Sequence, residues 1–188
     1  EAASTDLGIE QAHFTYNIND AVSVTFGRYG SALGFEREDP AGLYTYSRAY
    51  TNNGFNFGDV DSNTFDGLTV AYSGDAYSVG VSLHNNSADA HSLETNDLDF
   101  EISFTYAGIA GVNIGGGFSV DNEPTGTSES DAANLSVSRQ FGKLFLAGEY
   151  STIDTQANGS GTVASDLDAY MILADYDFNN KLGVALRI

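Results

Sequence analysis

The 188-residue chain contains no cysteine, no tryptophan, only two prolines, and seven basic residues against 26 acidic ones. Without cysteine, the chain has no disulfide framework and no thiolate metal site. A formal net charge of −19 argues against nucleic-acid binding, which needs a basic surface. No segment approaches about 18 consecutive apolar residues, so a transmembrane helix is excluded.

Apolar and polar residues alternate along most of the chain, in pairs of runs that flank a short polar turn. Such a pattern predicts antiparallel hairpins. Five hairpins are expected, at 14–27, 68–84, 102–120, 135–150 and 171–188. Longer stretches rich in Gly, Asn, Asp and Ser separate them. Short turns at one end of the strands and long loops at the other are typical of a transmembrane β-barrel.

A soluble β-sandwich would show the same alternation, so the composition of the polar face has to separate the two folds. That face is mostly Ser, Thr, Gly, Asn and Gln with almost no lysine, which suits a barrel interior better than a water-exposed sheet. Aromatic residues also gather near the strand ends, as in membrane girdles. Those near the long loops are Tyr29, Phe118, Tyr150 and Tyr170. We therefore predict an all-β, antiparallel, up-and-down transmembrane barrel.

The pattern predicts a single β-barrel domain over 1–188 with about ten strands. An even number of strands leaves both ends of the chain at the long-loop rim, whereas a self-contained bacterial barrel keeps its termini in the periplasm. We therefore expect the domain to be incomplete at both ends and to belong to a larger barrel of about 12 or more strands.

The long loop at 31–64 is the candidate constriction loop, because it far exceeds ordinary hairpin loops. Arginine and carboxylate facing each other across a narrow pore would orient permeating solutes. In a second interpretation, Glu36 and Arg48 form an internal clamp that fixes the loop, and the two roles can coexist. The pore-constriction candidates are Arg28, Glu36, Arg37, Glu38, Asp39 and Arg48.

Strand parity assigns a second charged group to the lumen face. Its members are Asp99, Glu101, Asp121, Glu149, Asp175, Asp177 and Arg187. Because carboxylates predominate, the lumen is expected to favour cations. A weak metal candidate, Asp59, Asp61 and Asn63, alternates like the start of a calcium loop. It lacks the glycine and the bidentate glutamate that such a loop needs, so an ordinary acidic loop is the preferred interpretation.

An enzymatic role is not expected. Ser82, His84 and Asp99 could be imagined as a Ser–His–acid set, but alternating residues on strands produce such sets by chance. No nucleophile-elbow motif is present. We predict no catalytic residues and no cofactor.

Residues 21–75 hold motifs more specific than alternation. They contain Gly27-Arg28-Tyr29, Gly34-Phe35-Glu36 and Tyr46-Ser47-Arg48, followed by the strand FDGLTVAYSGD. This order resembles the OmpL-like porins, the second β-barrel porin family. The chain is shorter than a complete member, and it has Ser31 and Ala32 where a proline often follows the first motif. The resemblance implies a porin in the outer membrane of a Gram-negative bacterium, with the first long loop entering the lumen.

Two functions remain open at this point. The first is a porin for passive diffusion of small hydrophilic solutes or ions, with a preference for cations. Its partners would be the lipid bilayer, lipopolysaccharide and the solutes. Assembly into a homo-oligomer is also compatible with this function. The alternative is a non-conducting structural or adhesive β-protein with acidic, calcium-binding surface loops. Barrel size separates them, because barrels of about eight strands are filled by side chains.

Overall fold

A computed structural model of the protein describes residues 11–36, 43–45, 64–85, 98–120, 130–156 and 164–188. In these ranges the alternating runs form strands, and no stretch forms a helix able to cross a membrane. The strands are β1 (Ala12–Asn17), β2 (Val22–Gly30), β3 (Thr64–Ser73), β4 (Tyr77–Asn85), β5 (Asp99–Ile109), β6 (Val112–Val120), β7 (Ser130–Phe141), β8 (Leu144–Thr155), β9 (Ser165–Asn179) and β10 (Leu182–Arg187).

All ten strands belong to one sheet, and each pairs antiparallel with its neighbour in sequence, from β1 to β10. Register shifts occur beside the β5–β6 and β9–β10 turns. Within the described part of the chain, β1 and β10 are the edges of the sheet, so it is not closed. The predicted all-β, up-and-down architecture is confirmed, as a partial barrel.

Short turns hold neighbouring strands in register at one end of the sheet. The Asn19 side chain accepts hydrogen bonds from the backbone N–H groups of Ala21 and Val22, both at 2.9 Å. Asn179 accepts one from Lys181 in the same way. Gly142 has a φ of +59°, which a residue without a side chain adopts at little cost. Fixed register matters because a slip of one residue would reverse every side chain.

The polarity of the two faces of the sheet is the reverse of that in a soluble protein. The outer face, defined by Phe26, Val70 and Leu135, exposes large apolar side chains, with Leu135 54% exposed. The opposite, inner face buries polar groups. These are Ser82, His84, Asp99, Glu101, Ser119, Asn134, Ser136, Ser138, Glu149 and Ser151. Such an extensive apolar surface is rare on soluble monomers, which normally hide it.

Aromatic side chains lie near both ends of the outer face. Beside the short turns, the exposed rings are Tyr16, Tyr72, Tyr77, Tyr106, Phe141, Tyr176 and Phe178. At the other end, Tyr150 and Tyr170 pack with ring centroids 4.9 Å apart. The girdle prediction for Tyr29 is wrong. Tyr29 is 9% exposed and pairs with the inner-facing Phe65, because it lies an odd number of residues from Phe26.

Candidate functional site

After β2 the chain turns onto the inner face of the sheet. The described part of the 31–64 loop consists of residues 31–36 and 43–45, which we call the inner strap. Gly34, with a φ of +93°, lies within its first segment. The strap contacts side chains of β5, β8 and β10, as detailed below. The constriction candidates Arg37, Glu38, Asp39 and Arg48 lie outside the described residues.

Glu101 of β5 holds the beginning of the inner strap. Its carboxylate accepts hydrogen bonds from the Ser31 hydroxyl at 2.5 Å and from the Ala32 N–H at 2.9 Å. Ser31 Oγ in turn accepts one from the Leu33 N–H at 3.1 Å. Glu101 is only 3% exposed, so these bonds offset the cost of burying its charge. They also fix the direction in which the chain leaves β2.

Glu149 of β8 holds the strap a few residues further on. Its Oε1 accepts hydrogen bonds from the Phe35 N–H at 2.7 Å and from Asn134 Nδ2 at 2.9 Å. Glu149 and Asn134 lie on the paired strands β8 and β7, two residues apart in register. Two carboxylates on separate strands therefore bind two backbone amides of the strap, three positions apart in the chain.

Glu36 ties the strap to β10. Its side chain is fully buried and forms a salt bridge with Arg187, whose side chain is 8% exposed. The Tyr44 N–H donates to Glu36 Oε1 at 3.4 Å. The predicted clamp between Glu36 and Arg48 stays a prediction, because Arg48 lies outside the described residues, and the salt bridge to Arg187 is a contact that was not predicted. Removing one member of a buried pair leaves an uncompensated charge, which costs about 3–5 kcal/mol.

Apolar side chains of the strap fill two patches among the polar groups of the inner face. Leu33 packs with Phe65 and Ala132. Gly117 of β6 makes room for it, since a Cβ at that position would lie 2.2 Å from Leu33 Cδ2. Phe35 packs against the second patch. That patch consists of Ala147, Met171 and Leu173. Burial of these groups adds hydrophobic stabilisation to the hydrogen bonds.

Three aromatic rings stack where the two strap segments meet the sheet. Phe35 lies 6.0 Å from Tyr44 and 6.2 Å from Phe145, and Tyr44 and Phe145 are 5.3 Å apart, with interplanar angles of 9–19°. Burial, and then the nearby charges of Asp175 and Glu36, raise the pKa of the Tyr44 phenol. Tyr44 therefore stays uncharged at physiological pH.

The other described members of the predicted lumen group lie on the inner face of the sheet. Asp99 is buried on the inner face, and Asp175 pairs in register with the inner-facing Phe145. Asp177 shares the parity of Asp175 and is exposed near the short turns. Asp121 and the weak metal candidate Asp59, Asp61 and Asn63 lie outside the described residues. Among the residues that are described, no group of three or more His, Asp or Glu side chains could hold a metal ion.

Arg28 requires a correction. It shares the parity of Phe26, which places it on the outer face and not with the strap carboxylates. There it forms a bidentate pair with Asp66 of β3, at 2.9 and 2.6 Å. Arg28 is close to the loop along the chain, but its position in β2 decides the direction of its side chain.

Sequence reasoning missed the residues that seat the strap. It did not single out Asn134 or Gly117, and it treated Glu101 and Glu149 only as lumen charge. One signal was present in β9, where Tyr170 to Ala174 are apolar on both faces. Strands covered on both sides have such continuous apolar runs. Met171 and Leu173 therefore indicated that something apolar covers the inner face.

Comparison with known proteins agrees with this geometry. The family model described as "Putative beta-barrel porin-2, OmpL-like" matches residues 2–188. Searches of curated proteins and of solved structures gave no match. Because the family model spans nearly the whole chain, this protein belongs to the OmpL-like, second family of β-barrel porins.

Proposed function

We propose that this porin allows passive, non-enzymatic diffusion of small hydrophilic solutes across the outer membrane of a Gram-negative bacterium, with a preference for cations. The observation that supports the proposal best is the reversed polarity of the two sheet faces. The sheet has an apolar outer face with aromatic ends, and a polar inner face. Lipid-exposed barrels need such an outer surface, and aqueous channels need such an interior. The apolar face would meet acyl chains, and the acidic long loops would meet lipopolysaccharide through divalent cations.

The inner strap is the proposed constriction. It lies on the inner face and is held by three separate carboxylates, Glu36, Glu101 and Glu149. A segment held so firmly would narrow the water-filled space permanently. Pore width would then depend on the strap, in the way that constrictions and charge rings set selectivity in other channels.

The proposed cation preference rests on the charge of the inner face. The described carboxylates there outnumber the described inner-face arginine, Arg187, which already pairs with Glu36. Asp175 and Asp177 lie toward the short-turn end of the same face. Carboxylates lining a pore attract cations and repel anions, and low salt strengthens the effect because screening is weaker.

Single-channel recording tests this proposal directly. The protein, extracted from membranes in detergent, is added to a planar bilayer with a KCl gradient across it. Stepwise openings with a cation-selective reversal potential are expected, and the selectivity should fall as salt rises. Folded protein that inserts without opening would refute the diffusion proposal and favour the structural or adhesive role. Openings with an anion-selective potential would refute the cation preference alone.

A further inference from the structure

An uncharged cavity of about 540 Å³ lies between the inner strap and strands β4–β7. On the strap side it is lined by Phe35, whose ring is part of the aromatic stack. None of the lining residues is charged, although strap-holding carboxylates lie nearby. The polar lining of the inner face consists of hydroxyls and two side-chain amides. These belong to Ser78, Ser103, Thr105, Asn113, Asn134, Ser136 and Ser138.

Asn134 presents an unused hydrogen-bond acceptor at this cavity. The side chain is 7% exposed, and its Nδ2 already donates to Glu149 Oε1. Its Oδ1 has no hydrogen-bond partner among the described residues. Buried amide oxygens are nearly always paired, so a small rotation of this side chain toward the cavity would let Oδ1 accept a hydrogen bond there.

The neighbouring hydroxyls have remaining capacity as well. Ser136 Oγ donates to the Gly115 carbonyl at 3.2 Å, and Ser78 shares a hydrogen bond of 2.6 Å with Thr105. Each hydroxyl has one donor and two acceptor sites, so these contacts leave acceptor sites free and use only one of the two hydroxyl hydrogens of Ser78 and Thr105. A guest with many hydroxyl groups could therefore both donate and accept here.

The geometry points to a solute class, and this inference rests on the proposed pore function. We propose that the cavity is a transient binding site for neutral polyhydroxylated solutes of mono- or disaccharide size. The ring of Phe35 packs against the C–H face of the sugar, and Asn134 Oδ1 accepts one of its hydroxyls. A cavity of this volume lies within the range of about 300–1,000 Å³ found for small-molecule sites. Because no lining residue is charged, recognition here relies on hydrogen bonds and ring contact and not on charge.

Sugar block of open channels is the test. Sucrose is titrated onto single channels in a planar bilayer, with polyethylene glycol of the same hydrodynamic size as the control for volume exclusion. A saturable fall in current is expected, with half-block on the order of 10 mM, the affinity of a weak site. The polymer lacks the array of hydroxyls, so its effect should grow without saturating.

Matched serine variants locate the site. Ser138 lines the cavity, whereas Ser151 is an equally buried inner-face serine of the neighbouring strand that does not. Ser138→Val should weaken sucrose block about three- to tenfold, the value of one hydrogen bond. Ser151→Val should leave it unchanged. Phe35→Leu should weaken block similarly by removing the ring face, and Phe35→Tyr should restore it.

The outcomes separate this inference from the pore proposal. Open channels without saturable sucrose block overturn the binding site and leave the pore function intact. Block that is equally weakened by Ser138→Val and Ser151→Val also overturns it, since the cavity is then not the site. If the protein forms no channels, saturation-transfer NMR of sucrose with the detergent-solubilised protein tests whether the site exists. If sucrose binds saturably and Ser138→Val abolishes that binding, the site is supported although the pore proposal fails. If sucrose does not bind, both proposals are overturned.

Discussion

Neutralising both carboxylates that bind the strap backbone should release the inner strap. In the double variant Glu101→Gln/Glu149→Gln the side chains keep their size but lose their charge. Three strap donors are affected, namely the Ser31 hydroxyl and the N–H groups of Ala32 and Phe35. Hydrogen bonds to charged groups contribute about 1.5–3 kcal/mol each and neutral ones about 0.5–1.5 kcal/mol. The loss is therefore about 1 kcal/mol for each bond.

Over three bonds, the strap would be held about 3 kcal/mol less tightly, which raises its detached population about 100-fold. Hydrogen exchange of the Ala32 and Phe35 amides measures that population, because both N–H groups are protected by the carboxylates. Exchange should accelerate about 100-fold in the double variant. In Glu101→Gln, which loses two of the bonds, the Ala32 amide should exchange about 30-fold faster, and in Glu149→Gln, which loses one, the Phe35 amide about fivefold faster. Mean channel conductance should rise along with it.

Asp177→Asn is the matched control, since it removes an inner-face charge at an exposed position near the short turns. It should leave exchange of both amides unchanged, which separates hydrogen bonding from a general effect of charge. Unchanged exchange in the double variant would refute the idea that these carboxylates hold the strap. Equal acceleration in Asp177→Asn would refute it as well.

Two further substitutions test the seat of the strap and the outer face. Gly117→Ala should displace Leu33 and so raise Ala32 exchange, since its Cβ would lie 2.2 Å from Leu33 Cδ2, and it would also lie 2.4 Å from the Ile102 carbonyl oxygen. Gly116→Ala is the matched control, with a backbone contact at 2.5 Å and no strap atom among its nearest contacts, and equal effects of the two would argue against the seat. Leu135→Lys, in the middle of β7, should lower the free energy of unfolding in lipid vesicles by about 2–4 kcal/mol, the cost of a lysine at the bilayer midplane. Phe141→Lys, on the same face beside the short turn, should cost about 0–1 kcal/mol, and no difference between these two would argue against a lipid-facing outer surface.

Most of the sheet could be predicted from the sequence because strand parity is a local property. Each strand alternates with a period of two, and turn residues such as Asn19 and Gly142 stop it at defined points. Local alternation also gave the inner direction of Glu101 and Glu149. The girdle prediction for Tyr29 failed because it rested on closeness to a strand end and not on strand parity.

The contacts of the strap could not be predicted in the same way, because they join residues far apart in the chain. Glu36 and Arg187 are separated by 151 positions, and Phe35 and Glu149 by 114. No local pattern specifies which carboxylate of a polar face receives which backbone amide. These groups come together only through the pairing of all the intervening strands. The partner of Glu36 could therefore be identified only from the structure.

The inner-face carboxylates do not all have the same relation to a permeating ion. Glu101 and Glu149 are at most 5% exposed and bind the strap, so under the proposed function their main effect would be on the width of the pore. Asp177 is exposed, and so its charge reaches the aqueous space directly. Because exposed charges are screened by salt and buried ones much less, Asp177→Asn should reduce cation selectivity mainly at low salt. Width and selectivity of this pore would then depend on different acids of one face, and substitution of either set should change one property with little effect on the other.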